Sequence, residues 1–189
     1  MFIRSERLFL RPGWPEDWPD LLARIADEAV VKNLAKAPWP YTADDARSFA
    51  QTPQDPRCPH FFVTLPTGAA PGELVGCVGL GNDGDAVELG YWFGREHWGR
   101  GYATEAARAV LRLARTLGHR RIVAKHFTDN PASGRVLAKL GFRATGEVRP
   151  SFSLARGCEV PGVVHTLELG ARSDCDGGDD DGAPAMRAA

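Results

Sequence analysis

Hydrophobic positions along the chain change period several times, and each change marks an element. "RLFLRP" near the amino terminus alternates over a few residues, the period of a short strand. "PEDWPDLLARIADEAV" (15–30) opens on acids and sets Leu21, Leu22, Ile25, Ala26 and Val30 near helical spacing, predicting one helix. "APWPY" is a proline-rich turn, after which Thr42 can cap a helix in "ADDARSFAQ". "HFFVTL" and "GELVGCVGL" are strands joined by the turn-rich "PTGAAPG", a predicted hairpin. In "AVELGYWFG" Val87, Leu89, Tyr91 and Phe93 take one strand face while Glu88, Gly90 and Trp92 take the other. Gly90 is a candidate bulge there.

The longest pattern is "HWGRGYATEAARAVLRLARTLG" (97–118). Ala103, Ala106, Ala107, Val110, Leu113, Ala114 and Leu117 recur every three or four residues, Arg108, Arg112 and Arg115 share the opposite face, and Gly118 stops the repeat. This predicts an amphipathic helix of about four turns that starts on the loop "GRGYAT". "RRIVAKHFT" then reads as a strand, "PASGRVLAKLGF" as a helix closed by Gly141, and "FRATGEV" and "GVVHTLEL" as two more strands. The tally is a mixed α/β (α+β) chain with about seven strands and four helices and no internal repeat.

Composition narrows the class. A chain of 189 residues, 43% hydrophobic, can bury a substantial core and fits one domain, placed at residues 1–170. The tail at 171–189 is rich in Gly and Asp and is expected to be disordered. It holds five aspartates against two arginines, and the whole chain carries a net charge of −1, so no polyanion-binding signature emerges and no nucleic-acid partner is expected. Cys58, Cys77, Cys158 and Cys175 lack a CxxC spacing, and no histidine spacing suggests a metal, so reduced thiols and no metal site are expected. "MFIRSERLFLRPG" begins on strand-like alternation rather than a charged and apolar leader, and no apolar run approaches the roughly 20 residues that span a bilayer. The expectation is a cytoplasmic protein without a membrane partner, monomeric or homodimeric.

The glycines of "WGRGYAT" carry the chemistry. Glycine permits tight turns and leaves neighbouring amide N–H groups uncovered, and several such amides at the positive end of a helix dipole make an anion site. Arg95 and Arg100 add charge nearby. A helix-packing turn would use the same residues. A P-loop would end in Gly-Lys-Ser/Thr, which is absent, and a dinucleotide-type GxGxxG would need a third glycine where Thr104 stands.

A third pattern fits. The chain resembles the GNAT superfamily of acyl-CoA-dependent N-acetyltransferases, whose signature [Gln/Arg]-x-x-Gly-x-[Gly/Ala] places its last two positions on Gly101 and Ala103. Trp98 stands at the first position, which departs from the general motif and is similar to the RimJ/RimL (ribosomal-protein alanine acetyltransferase) type. "YW" on the strand, "WGRGYATEA", "NPAS" with "LGF", the opening "RLFLRP" and the turn "PWPYT" all match that branch, over roughly residues 3–169. The resemblance implies a mixed, splayed sheet with acetyl-CoA, as co-substrate, wedged where two parallel strands diverge. It implies that backbone amides of Trp98, Gly99, Arg100, Gly101, Tyr102, Ala103 and Thr104 form or flank the pyrophosphate loop, that the Tyr91, Trp92 and Phe93 backbone pairs with pantetheine, and that Asn130 bonds the same arm. It also implies a Ser133 hydroxyl near the thioester sulfur. Asn130 before Pro131 is equally a good helix cap, and Ser133 an ordinary first-turn serine.

Acetyl transfer to an amine demands that the amine lose a proton and that the departing thiolate be stabilised. Glu88 is the carboxylate nearest in sequence to the expected reaction centre and can serve as base through water, though it can also be a solvent-facing strand residue. His97 and His126 are weaker candidates, and Glu105 is expected to serve the helix dipole and point away from phosphate. Trp14, Trp18, Trp39 and Tyr41 gather in the amino-terminal third, which the resemblance implies forms the acceptor pocket, and can equally be core. No feature selects the amine acceptor, and a non-catalytic acyl-CoA sensor or a structural partner-binding domain stays open.

Overall fold

The computed structural model describes residues 1–66 and 72–170. Residues 67–71 of the "PTGAAPG" turn, and the tail at 171–189 expected to be disordered, lie outside the described residues. In chain order the elements are β1 (Ile3–Arg4), β2 (Phe9–Arg11), α1 (Trp18–Ile25), α2 (Glu28–Val31), α3 (Ala43–Ala50), β3 (His60–Leu65), β4 (Glu73–Asp83), β5 (Ala86–Phe93), α4 (Tyr102–Thr116), β6 (Arg121–Phe127), α5 (Pro131–Lys139), β7 (Arg143–Ser153) and β8 (Cys158–Glu168). All eight strands form one sheet in the order β1-β2-β3-β4-β5-β6-β8-β7. Every neighbouring pair is antiparallel except β5 with β6.

Two counts differ from the sequence expectation. The eighth strand is the two-residue β1, too short to show a period, which pairs Ile3 with Leu10 and Arg4 with Phe9. The helix predicted over 15–30 is broken: Asp27 turns to extended backbone and its side chain accepts the Ala29 N–H at 2.8 Å, starting α2 afresh. A good cap outweighs continuous helical spacing there.

Strand alternation sorts side chains into two cores. On β3, Phe61 enters the core beneath α4 and α5 with Leu8, Leu10, Val78, Leu89, Phe93, Val110 and Leu137. Its neighbour Phe62 enters the core beneath α1–α3 with Leu21, Ile25, Val31, Ala46, Cys77 and Trp92. Both rings are essentially fully buried, and truncating either to alanine would cost about 3–5 kcal/mol. The alternation predicted on β5 holds, with Leu89 and Phe93 in one core and Trp92 in the other.

Gly90 marks no bulge. The β4–β5 ladder runs in unbroken register from Gly76 opposite Phe93 to Asp83 opposite Ala86, and the nearest irregularity lies at Val63 and Thr64 of β3. Gly90 instead leaves open space, with nothing within 4 Å of where a Cβ would stand.

Parallel strands need a crossover, and α4 supplies it between β5 and β6. Its alanines Ala106, Ala107, Ala109 and Ala114 are buried, which lets the helix lie close to the sheet, while Arg108, Arg112 and Arg115 face outward as predicted. Gly118, at φ 86°, ends it: Gly118 N–H donates to Arg115 O and His119 N–H to Ala114 O, both near 3.0 Å, turning the chain into β6.

Candidate active site

The central opening in the sheet comes from a single departure from regularity. β5 and β6 share one paired position, Glu88 with Val123. Beyond it β5 continues to Phe93 and β6 to Phe127 without pairing to each other, so backbone groups along both strands face a gap. Two helix starts stand at that end of the sheet, those of α4 and α5.

The α4 start is built by the glycine loop. Gly99 and Gly101 have φ of 75° and 80°, a region that costs an L-residue about 1–2 kcal/mol, so side chains are excluded for conformational reasons. No side chain among the described residues caps the helix. Among the described residues, the backbone amides from Gly99 through Thr104 donate to no protein acceptor. They form a row of uncovered donors at the positive end of a 15-residue helix, which suits a phosphate oxygen. Trp98 contributes differently from its neighbours: its indole Nε1 donates to Phe93 O at 2.8 Å and ties the loop to the end of β5.

Glu105 points away from this row, as expected, but toward a partner that sequence spacing does not show. Its carboxylate accepts from Ser5 Oγ, the Arg7 amide and Arg7 Nε, each at 2.7 Å. Arg7 also donates to Arg100 O at 3.1 Å and lies over the Tyr102 ring. Burial opposes the Glu105 charge, yet the Arg7 and Ser5 hydrogen bonds prevail and hold its carboxyl below the usual range. The clamp joins residues 98 positions apart, and no local pattern could have revealed it.

At the α5 start, Asn130 Oδ1 accepts the Ser133 N–H at 3.3 Å, so the capping reading of Asn130 is correct, and its side-chain NH₂ stays free of protein acceptors among the described residues. Across the gap, the Tyr91 hydroxyl lies 2.8 Å from Ser133 Oγ and 3.3 Å from Ser133 O. Burial pushes the Tyr91 phenol up to about 12 despite that hydrogen bond. The Trp92 and Phe93 side chains are buried in opposite cores, and of their backbones only that of Phe93, like that of Tyr91, turns to the gap. The alternation set by Gly94 N–H donating to Val75 O pairs the Trp92 backbone with Cys77 of β4, contrary to the expectation that it bonds pantetheine.

On the opposite sheet face, the face of α1–α3, Glu88 sits beside the open space at Gly90. Lys125 Nζ is 3.7 Å from Glu88 Oε1 and 3.0 Å from Asp83 Oδ2. Burial raises the Glu88 carboxyl above its ordinary value; Lys125 counteracts this and Asp83 reinforces it. A half-buried carboxylate whose pKa lies above its ordinary value, next to an open space, is a stronger base than an exposed one.

The other candidates are placed less favourably. His97 is 5% exposed, within 3.5 Å of Glu73 and 3.6 Å of Glu96, and burial lowers its pKa. The His126 ring is paired with Phe127 O and packs against His165. Of the amino-terminal aromatics, Tyr41 is buried in the α1–α3 core and Trp18 packs against it beneath Arg47, whereas Trp39 is 41% exposed. Trp14 is covered by Arg11, whose guanidinium lies 3.9 Å from its ring. No cluster of three or more His, Cys, Asp or Glu with metal-binding geometry occurs among the described residues, and no helix there is long and apolar enough to cross a membrane.

Comparison with known proteins identifies this arrangement. The chain is 41% identical over 81 residues to the uncharacterized N-acetyltransferase YoaA of Bacillus subtilis, a match spanning 41% of this chain and 46% of that relative. It is 28% identical over 148 residues to the uncharacterized N-acetyltransferase YnaD of the same organism, spanning 77% and 85%. Among solved structures, a GNAT-family acetyltransferase from Bacillus anthracis superimposes with a TM-score of 0.76 at 26% identity, over 89% of this chain and 99% of that one. RimL, a ribosomal L7/L12 α-N-protein acetyltransferase solved with coenzyme A, shares the fold at a TM-score of 0.72 and 18% identity, over 89% and 98%. The family described as "Acetyltransferase (GNAT) domain" matches residues 7–143, and with the eight-stranded sheet, the gap between β5 and β6 and the glycine loop in place, the chain belongs to the GNAT acetyltransferases.

Proposed function

We propose that the protein moves the acetyl group of acetyl-CoA to a primary amine, by direct attack of the amine on the thioester while both substrates are bound. The observation that carries this reading is the row of unpaired amides from Gly99 to Thr104 beside a gap in the sheet, with a raised-pKa carboxylate, Glu88, on the far face. In this reading the amides of Arg100 through Thr104 hold the pyrophosphate, and the backbone of Tyr91 and Phe93 bonds the pantetheine arm in place of the missing strand neighbour, with Trp92 between them paired to β4. The free NH₂ of Asn130 bonds the same arm, and Ser133 Oγ lies toward the sulfur. Coenzyme A supplies the activated thioester; the chain's own groups orient it and handle protons. Glu88, through water, takes the proton shed by the amine, and the space left by Gly90 admits that amine.

The acceptor is an α-amine on a peptide or a small metabolite. Support for the RimJ/RimL type comes from Trp98, "YW" and "NPAS" in the sequence and from the likeness in fold to RimL. The buried thiols of Cys58 and Cys77, unpaired among the described residues, accord with a reducing, cytoplasmic setting.

Calorimetric titration with acetyl-CoA tests the reading. Saturable binding is expected, and binding should be lost in Gly101→Val, which puts a branched side chain beside Arg7 on a residue held at φ 80°. No binding at high micromolar ligand would remove the acetyl-CoA reading. Binding without thiol release in a screen of amine acceptors would leave a sensor instead of an enzyme.

A further inference from the structure

We infer that Tyr91 is a positioning residue for the leaving group: its hydroxyl donates to Ser133 Oγ and thereby aims the only Ser133 proton into the gap, at the thioester sulfur. The inference rests on the acetyl-CoA reading above and adds to it a side chain that this reading uses only for its backbone.

Geometry makes the case. Tyr91 shares a strand face with Leu89 and Phe93, the face of α4 and α5, and lies three residues past the last position at which β5 and β6 pair. Its hydroxyl therefore reaches α5 across the gap and meets the first turn of that helix at Ser133. Gly134 allows α5 to sit this low, because a Cβ there would stand 2.8 Å from His126 Nε2.

Each of the two hydroxyls has one proton. If Ser133 donated to Tyr91, the Tyr91 proton would be left with Ser133 O at 3.3 Å, a long bond for a hydroxyl. If Tyr91 donates to Ser133 Oγ at 2.8 Å, the bond has ordinary length, and the Ser133 proton is directed elsewhere. Ser133 Oγ has no other protein partner among the described residues, so that proton points into the gap. Burial keeps the phenol protonated far past neutral pH, so Tyr91 remains a donor throughout the working range. As the C–N bond forms and the C–S bond breaks, the C–S electron pair goes to sulfur, the amine proton leaves through Glu88, and the thiolate accepts the Ser133 hydrogen bond until it takes a proton from water.

The test uses the thiol itself. Coenzyme A is bound to the full-length protein and its thiolate titrated by ultraviolet absorbance, for wild type, Tyr91→Phe, Ser133→Ala and the double variant. Tyr91→Phe should raise the pKa of the bound thiol by about 0.5–1, with Ser133→Ala at least as large and the double variant no larger than Ser133→Ala. The Kd for coenzyme A should stay within about twofold, and kcat with any acceptor found should fall about 3- to 10-fold. An unchanged thiol pKa in Tyr91→Phe beside a raised one in Ser133→Ala would overturn the assignment and leave Tyr91 a packing residue. An unchanged value in Ser133→Ala overturns it as well, whether or not the phenylalanine variant folds. Failure of the wild type to bind coenzyme A at all would instead remove the acetyl-CoA reading on which the inference rests.

Discussion

Glu88 is legible in the sequence only as a carboxylate on the polar face of a strand; its environment is what makes it a candidate base. Burial disfavours its charged form, so its pKa is higher in the folded protein than in the unfolded chain. The fold then binds its proton more tightly, and stability declines as pH rises through the folded-state pKa. Glu88→Gln should therefore leave Tm unchanged or higher at neutral pH, a difference that vanishes in acid below the ordinary carboxylate pKa, where folded and unfolded states are both protonated, while kcat falls about 10²- to 10⁴-fold with little change in acetyl-CoA affinity. Paired melting curves and turnover measurements check both halves, and wild-type turnover in the variant would remove Glu88 as base. The same lesson applies to Trp98. Its place in the motif is visible in the sequence, but that its indole holds the Phe93 carbonyl depends on a fold the local pattern does not specify.

Between elements, two polar contacts tie the amino-terminal segment to the rest. The Arg7–Glu105 clamp fastens the start of β2 to the first turn of α4, and Arg7 also holds the Arg100 carbonyl, which fixes the orientation of the amides that follow. Arg7→Ala is expected to weaken coenzyme A binding about 3- to 10-fold by calorimetry while changing Tm little, because the Arg7 side chain is 46% exposed and the pair itself stabilises weakly. Arg11 and Asp17 behave differently. They form a two-pronged pair at 2.6 and 2.7 Å with both side chains less than a tenth exposed, and Asp17 also accepts the Trp14 N–H. Asp17→Ala would strand a buried guanidinium and should cost about 3–5 kcal/mol in denaturant unfolding. Helices and strands with clear periods were readable from sequence because burial imposes those periods. The break at Asp27 and the absence of a bulge at Gly90 were not, since a cap and an in-register ladder depend on hydrogen bonds that periodicity does not record.

Across the whole molecule, burial holds His60, His97 and His165 below their ordinary pKa, and among the described residues neither ring nitrogen of His97 has a hydrogen-bond partner. The unfolded chain gains these protons first, so stability is full above about pH 6.5 and falls as pH drops through the window below it. Urea midpoints should be lower at about pH 5.5 than at about pH 7.5, and His97→Leu should flatten part of that dependence; a flat profile in the wild type would exclude it.

The single rung between β5 and β6 also leaves the sheet as two runs of continuous pairing that share one core beneath α4 and α5. One runs from β1 to β5 and the other comprises β6, β8 and β7, each paired throughout, with register shifts at Val63/Thr64 and between Ala144 and Val148. The amides that turn toward the gap, those of Tyr91 and Phe93 on β5 and of Lys125 and Phe127 on β6, then lie at the low-stability end of the exchange spectrum, and a ligand arm bonded between them would behave as a borrowed strand. Hydrogen exchange at these four amides should slow together on addition of coenzyme A, because one bound arm closes both edges of the seam.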